Sequence, residues 1–145
     1  MSAVCLDASF VLEILLHDRF SERVVIWWGE AMERQTVANV PPLFHPEVTS
    51  AIRKRVYLKK LERSDAGQAL MDALEWPVDV WQGDHHLLQR RAFELAARFN
   101  RPRAYGSQYL ALAELLGCEL WTADERLVNA VRDELLWVRW IGDAA

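Results

Sequence analysis

Five short apolar runs, "SAVCLD", "TVANV", "PVDVW", "CELWTA" and "LWVRWI", alternate with longer stretches whose apolar residues fall at helical spacing. This alternation constrains the fold more than any other feature. Short runs that are apolar throughout suit strands buried on both faces, and strands separated by helices pair in parallel. The expected architecture is a three-layer α/β/α sandwich around a central, mainly parallel sheet. No repeat, low-complexity tract or dividing linker interrupts the pattern, so residues 1–145 are expected to form one domain.

Helices are expected over "ASFVLEILLH", "DRFSERVVIWWGEAMERQ", "LFHPEVTSAIRKRVYLKKL", a segment capped by Ser64 and reaching about Leu74, "GDHHLLQRRAFELAARFN", "SQYLALAELL" and "DERLVNAVRDEL". Pro46 suits a first turn, where its missing N–H is tolerated. In the fifth of these helices Leu87, Leu88, Arg91, Leu95 and Phe99 trace much of one face. The sixth is apolar nearly all round, which suits a central helix, and Gly117 is its C-terminal stop.

The net charge of −4 argues against a protein held to nucleic acid by its overall field. Basic residues are nevertheless clustered, in "RKRVYLKKLER" (53–63) and again between Arg90 and Arg103. Cys5 and Cys118 lie in strand-like runs and are expected as buried free thiols rather than a disulfide. The apolar stretches carry charges or His within a dozen residues, so none is expected to span a bilayer. No secretory pattern is evident, and a cytoplasmic location is expected.

Ligands of open parallel sheets bind beyond the carboxyl ends of the strands. Two runs, "VCLD" and "LWTAD", end there in acids, Asp7 and Asp124. If those strands are neighbours, their backbones lie about 4.8 Å apart. Carboxylates that close repel unless they share a proton or bind a cation, and Mg²⁺ favours carboxylate oxygens. The plainer role for Asp124 is to cap "ERLVNAV". Glu47, in the first turn after the second strand, is a third candidate; first-turn acids also simply complement the helix dipole. Glycine-rich phosphate loops and the G-x-S-x-G elbow are missing. His85 and His86 are adjacent, so on a helix they point about 100° apart and make a poor metal pair.

"LDASFVLEILL", "PPLFHPEVTSAIRK" and "AYGSQYLALAELLGCELWTADERL" together resemble the PIN-domain family, above all the VapC toxin ribonucleases of type II toxin–antitoxin modules. The likeness runs the length of the chain. It implies a PIN-like sandwich and a cluster of acids that binds Mg²⁺ or Mn²⁺ and cuts single-stranded or looped RNA by metal-activated water. Position by position, it makes Asp7, Glu47 and Asp124 the catalytic, metal-holding acids, with Ser9 and Thr122 as supporting hydroxyls. RNA, a cognate antitoxin and a second copy of the chain are the partners it implies. The basic residues among 53–63, above all Arg53, Lys54 and Arg55, and those among 90–103 would meet phosphates.

One position departs from the pattern. Where the family carries a further acid, in a segment resembling "YDAxYLALAE", this chain has Gly106 followed by Ser107. Glycine supplies no ligand, and one carboxylate fewer weakens Mg²⁺ binding. Either Ser107 through a water, or Glu125, partly substitutes, or activity is reduced. The alternative is a PIN fold that no longer cuts and binds RNA or a partner protein. The helix "FSERVVIWWGEAM" adds a second expectation. It carries two adjacent apolar faces, Phe20, Val24, Trp27 and Ala31 beside Val25, Trp28 and Met32. A core stripe needs one face, so part of this helix is expected in a dimer or antitoxin interface.

Overall fold

The structure, a computed structural model, describes residues 2–143. Five strands, β1 (Ala3–Leu6), β2 (Val37–Val40), β3 (Asp79–Val80), β4 (Glu119–Thr122) and β5 (Val138–Trp140), form one sheet in the order β3-β2-β1-β4-β5. Every pairing is parallel. Seven helices accompany them: α1 (Ala8–Leu15), α2 (Ser21–Glu33), α3 (Phe44–Tyr57), α4 (Arg63–Leu74), α5 (His85–Arg98), α6 (Tyr105–Leu116) and α7 (Glu125–Val131). The architecture is the three-layer α/β/α sandwich that the alternation of apolar runs and helices implies.

The chain enters at the middle of the sheet. From β1 it winds outward through β2 to β3, then returns to the other side of β1 as β4 and β5. The order therefore reverses between β1 and β4, and the crevice beyond their carboxyl ends is the natural ligand position of such a sheet. Cys5, Leu6 and Leu120 in this centre are fully buried. Helix α6 packs on β1 and β4, and its residues from Ser107 to Ala113 are all buried. It ends at Gly117 in the left-handed conformation (φ 64°), as a helix stop requires.

Two local expectations are corrected. Ser64 does not cap α4: Ala66 N–H already bonds Glu62 O at 2.9 Å, so the helix starts two residues earlier and Ser64 lies inside its first turn. In α5 the buried stripe is Leu88, Ala92, Leu95 and Ala96, while Leu87 is 39% exposed. Two of the four are alanines, and such small residues permit close approach where α5 lies along α6. Arg91, placed by its spacing on the apolar face, pairs instead with Glu114 and Glu94.

In α2, Val24 and Ala31 are buried, and Phe20 is buried just before the helix. Both tryptophans turn inward. Trp27 packs against Phe10 and Trp121, and Trp28 against Trp76. Val25, Ile26 and Met32 remain as the exposed apolar side chains. Among the described residues, no helix is long and apolar enough to cross a membrane.

Cys5 and Cys118 are free, the first buried and the second half-buried. Burial pushes the Cys5 thiol well up, and more so than that of Cys118. Since the thiolate is the reactive form, a thiol reagent should modify Cys118 first in the native protein and reach Cys5 only on unfolding. A thiol count under denaturing, non-reducing conditions should find both; finding none would reveal a disulfide.

Candidate active site

Asp7 follows β1 directly and caps α1. Its Oδ1 accepts the backbone N–H of Phe10 at 3.0 Å and the hydroxyl of Ser9 at 2.6 Å. Thr122, the last residue of β4, donates its hydroxyl to Oδ2. The same two hydroxyls accept backbone N–H groups from the turn after β4: Ser9 Oγ from Ala123 at 3.1 Å and Thr122 Oγ1 from Asp124 at 2.9 Å. Ser9 and Thr122 thus wire the Asp7 carboxylate to the β4–α7 turn and fix its orientation. With three donors on a group that has about four acceptor sites, Asp7 keeps one for anything else.

Asp124 caps α7, with Oδ1 accepting from Arg126 N at 3.0 Å and Leu127 N at 3.3 Å. Both bonds fall on one oxygen. Oδ2 has no hydrogen-bond partner among the described residues, so the capping role leaves half of the carboxylate open. Glu47 stands in the first turn of α3, where the Tyr109 hydroxyl donates to its Oε1 at 2.8 Å. Three elements therefore deliver three acids, together with Gly106, to one cleft of about 290 Å³.

The electrostatics follow from crowding and burial. Asp7 is 5% exposed, and its pKa is pushed up to about 7, mainly by burial; the bonds from Ser9, Thr122 and Phe10 oppose the rise and the charge of Asp124 adds to it. Burial also raises Glu47, against the Tyr109 bond and with a further push from Asp124. Asp7 and Glu47 are thus harder to ionise than in water, which is the condition a cation relieves. Among the described residues, however, no three metal-capable side chains stand close enough to make a ready-formed cage.

The remaining candidates separate. Ser107 is buried, its hydroxyl has no partner, and it does not line the cleft. Glu125 is exposed and does not line it either. Arg55 pairs with Asp18 at 2.6 Å, and Arg53 borders a groove between α3 and α4. Of that basic trio only Lys54 adjoins the cleft, in a neighbouring pocket that shares Glu47 with it. Sequence reasoning missed two polar cleft residues, Tyr105 and Tyr109, and marked Arg101 only as one of the basic residues between Arg90 and Arg103. The i, i+4 spacing of the two tyrosines on one helix was a usable signal.

Tyr109→Phe removes the bond that favours ionised Glu47. The Glu47 titration should move to higher pH, and stability should fall by about 1 kcal/mol. Carboxyl NMR of the variant showing Glu47 unmoved would contradict the geometry.

No family model matches the sequence. Over 129 residues it is 32% identical to a VapC ribonuclease of Mycobacterium bovis, covering 86% of this chain and 87% of that one. The figures for ribonuclease VapC9 of Mycobacterium tuberculosis are the same. The chain belongs to the VapC ribonuclease family. Its fold is shared with PAE2754 from Pyrobaculum aerophilum, whose crystal structure superposes with a TM-score of 0.68 over 97% of this chain and 90% of that one, at 16% identity. The resemblance to the VapC group of PIN domains is therefore borne out. For a VapC-family chain Gly106 remains the departure. A Cβ built there would meet only Leu127, at 3.5 and 3.8 Å, so the cleft has room for a side chain that the sequence does not supply.

Proposed function

We propose that this VapC-family chain is a Mg²⁺- or Mn²⁺-dependent endoribonuclease, attenuated by the glycine at 106. The observation that carries the reading is the convergence of Asp7, Glu47 and Asp124, from three separate elements, on one cleft at the reversal point of the sheet. The donor set fits a hard divalent cation. All three are carboxylates, Asp7 and Glu47 are raised by burial, and Asp124 and Glu47 each keep an oxygen without a protein partner among the described residues. Mg²⁺ is commonly held by one or two carboxylates and several waters, so the lack of a closed cage is compatible with it.

Asp7 and Asp124 would hold the cation directly, and Glu47 would hold it or one of its waters. Bound there, it supplies an activated water and a counter-charge for the leaving oxygen of the phosphodiester. Ser9 and Thr122 keep Asp7 aimed into the cleft, and Tyr109 does the same for Glu47. A cytoplasmic location, a cognate antitoxin and self-association belong to the same reading, with exposed Val25, Ile26 and Met32 of α2 as the apolar surface available to a protein partner.

The second reading, a non-cutting module that binds RNA or protein, is favoured by Gly106 alone. Mn²⁺ calorimetry and cleavage of RNAs of varied sequence, with Asp7→Asn as the blank, separate the two. Metal-dependent cleavage above the blank supports the enzyme, whereas RNA binding with no cleavage at any metal concentration supports the module.

A further inference from the structure

Two cavities meet at Tyr105. On one side is the carboxylate cleft; on the other is a pocket of about 410 Å³ against α3, whose walls include Ser50, Ala51 and Lys54. Glu47 and Tyr105 line both. The Tyr105 ring is 57% exposed and, among the described residues, has no hydrogen-bond, aromatic or cation partner. One exposed tyrosine is unremarkable by itself. Its surroundings give it meaning, because an unpaired cation stands in each of the two cavities.

Arg101 lines the cleft yet pairs with none of its acids; its one side-chain bond is to Arg126 O at 3.4 Å. Its backbone, by contrast, is pinned. Helix α5 ends with Asn100 in the left-handed region (φ 52°), and Arg101 N–H bonds Ala96 O at 2.7 Å, before Pro102 continues the chain. A guanidinium on an anchored backbone, with donors unused among the described residues, matches the forked geometry of a phosphate. Lys54, in the adjoining pocket, is exposed and has no salt bridge among the described residues. The joined cavities thus gather a cation and acids on one side of the shared Tyr105 and Glu47, and a second cation on the other. A single nucleic acid strand presents the complementary groups, with phosphates either side of a base whose face is bare. A duplex keeps its base faces stacked and cannot.

We propose that Tyr105 is a stacking platform for one base of single-stranded RNA, with Arg101 and Lys54 receiving phosphates on either side of it. This rests on the ribonuclease reading of the cleft, and it adds the group that would hold a base beside the cut, whatever its identity.

The test measures binding separately from cleavage. In the Asp7→Asn background, fluorescence anisotropy follows a labelled single-stranded oligoribonucleotide and the same sequence closed into a duplex. Tyr105→Ala should weaken single-strand binding by about 5- to 150-fold, the range that base–aromatic stacking implies. Tyr105→Phe keeps the ring and should bind like the parent. Arg101→Ala and Lys54→Ala should weaken binding of all sequences and each lower the salt slope by about 0.7. Duplex binding should be weaker and indifferent to Tyr105. The proposal is overturned if the parent binds no single strand, if Tyr105→Ala binds as tightly as the parent, if Phe fails to rescue, or if the duplex is preferred. A wild type that never cleaves, while Tyr105→Ala still loses single-strand binding, removes the ribonuclease and leaves the platform. A wild type that cleaves, with Tyr105→Ala binding like its parent, does the reverse.

Discussion

Asp7→Asn should abolish Mn²⁺ binding and RNA cleavage while making the metal-free protein more stable at neutral pH. The loss of activity should exceed the roughly 10- to 100-fold that outer-shell changes cost at metal sites, because the carboxylate itself is removed. The gain in stability follows from burial. Asp7 has its pKa pushed up from 3.8 to about 7 in the fold, so the folded protein holds a proton that the unfolded chain gives up. Below pH 3.8 both states are protonated and there is no penalty. Stability is lost as the pH rises from there, and above about 7 the full penalty applies, on the order of 4 kcal/mol.

Asparagine never ionises and avoids that penalty. It also fits the existing bonds: its oxygen can accept from Ser9 and Phe10, and its NH₂ can donate to the Thr122 hydroxyl, which rotates to suit. After some loss in rearrangement, about 2 kcal/mol should remain at pH 8, a rise in Tm of roughly 5 °C. The gain should vanish near pH 4. Calorimetric melts in EDTA across that range check it, and parallel curves for the two proteins would remove Asp7 as the group responsible. Saturating Mn²⁺ should reverse the order, since only the wild type has a site to be stabilised by occupancy.

The second large effect concerns the missing acid. Gly106→Asp should tighten Mn²⁺ binding roughly tenfold or more and raise cleavage most at low metal, where occupancy limits the rate. Space is available, because the new Cβ meets only Leu127 at ordinary contact distances. The position is in the first turn of α6, where the helix dipole favours an anion by about 0.3–1 kcal/mol. Replacing glycine also trims unfolded-state entropy, worth about 0.4–1 kcal/mol. Against this, a fourth carboxylate raises the pKa values of its neighbours, so without metal the variant should gain little stability. Ser107→Ala is the control. Its hydroxyl lies outside the cleft, so cleavage should be unchanged; a drop would show that it reaches the site through water. A wild type already brisk at low Mg²⁺, with no gain from Asp, would mean the site is complete with three acids.

Much of the fold was legible because each strand is a short apolar run bounded by turn residues, and because α6 is apolar all round. The acids were legible for a related reason: Asp7 and Asp124 each follow such a run, and Glu47 opens a helix. The errors lie where a pattern has two solutions. Ser64 is a good capping residue, but Glu62 takes the cap position in extended conformation one residue before Arg63. The run Arg53-Lys54-Arg55 advertises charge without direction, and on a helix successive residues diverge, so one meets Asp18, one a different groove and one the neighbour of the cleft. Arg101 was marked only as part of a basic cluster; its place in the cleft depends on how α5 terminates and where α6 then begins, which no periodicity encodes. Ser9 and Thr122 were expected only as supporting hydroxyls; their bonds show that the group they hold is Asp7.

That bond from Thr122 to Asp7 joins residues 115 apart in sequence, and α6 and β4 must both be in place before it can form. Closing a loop that long carries a large entropic cost before any contact rewards it, and parallel pairings of this kind form late. On the ribosome, β1 and β2 emerge early and can pair, but the cleft then has only the two acids from α3 and the end of β1. Synthesis must run on past Asp124 before the third arrives. On the proposed reading this chain is therefore unable to cut for most of the time it takes to make, since its third acid follows β4, next to last of the strands in sequence.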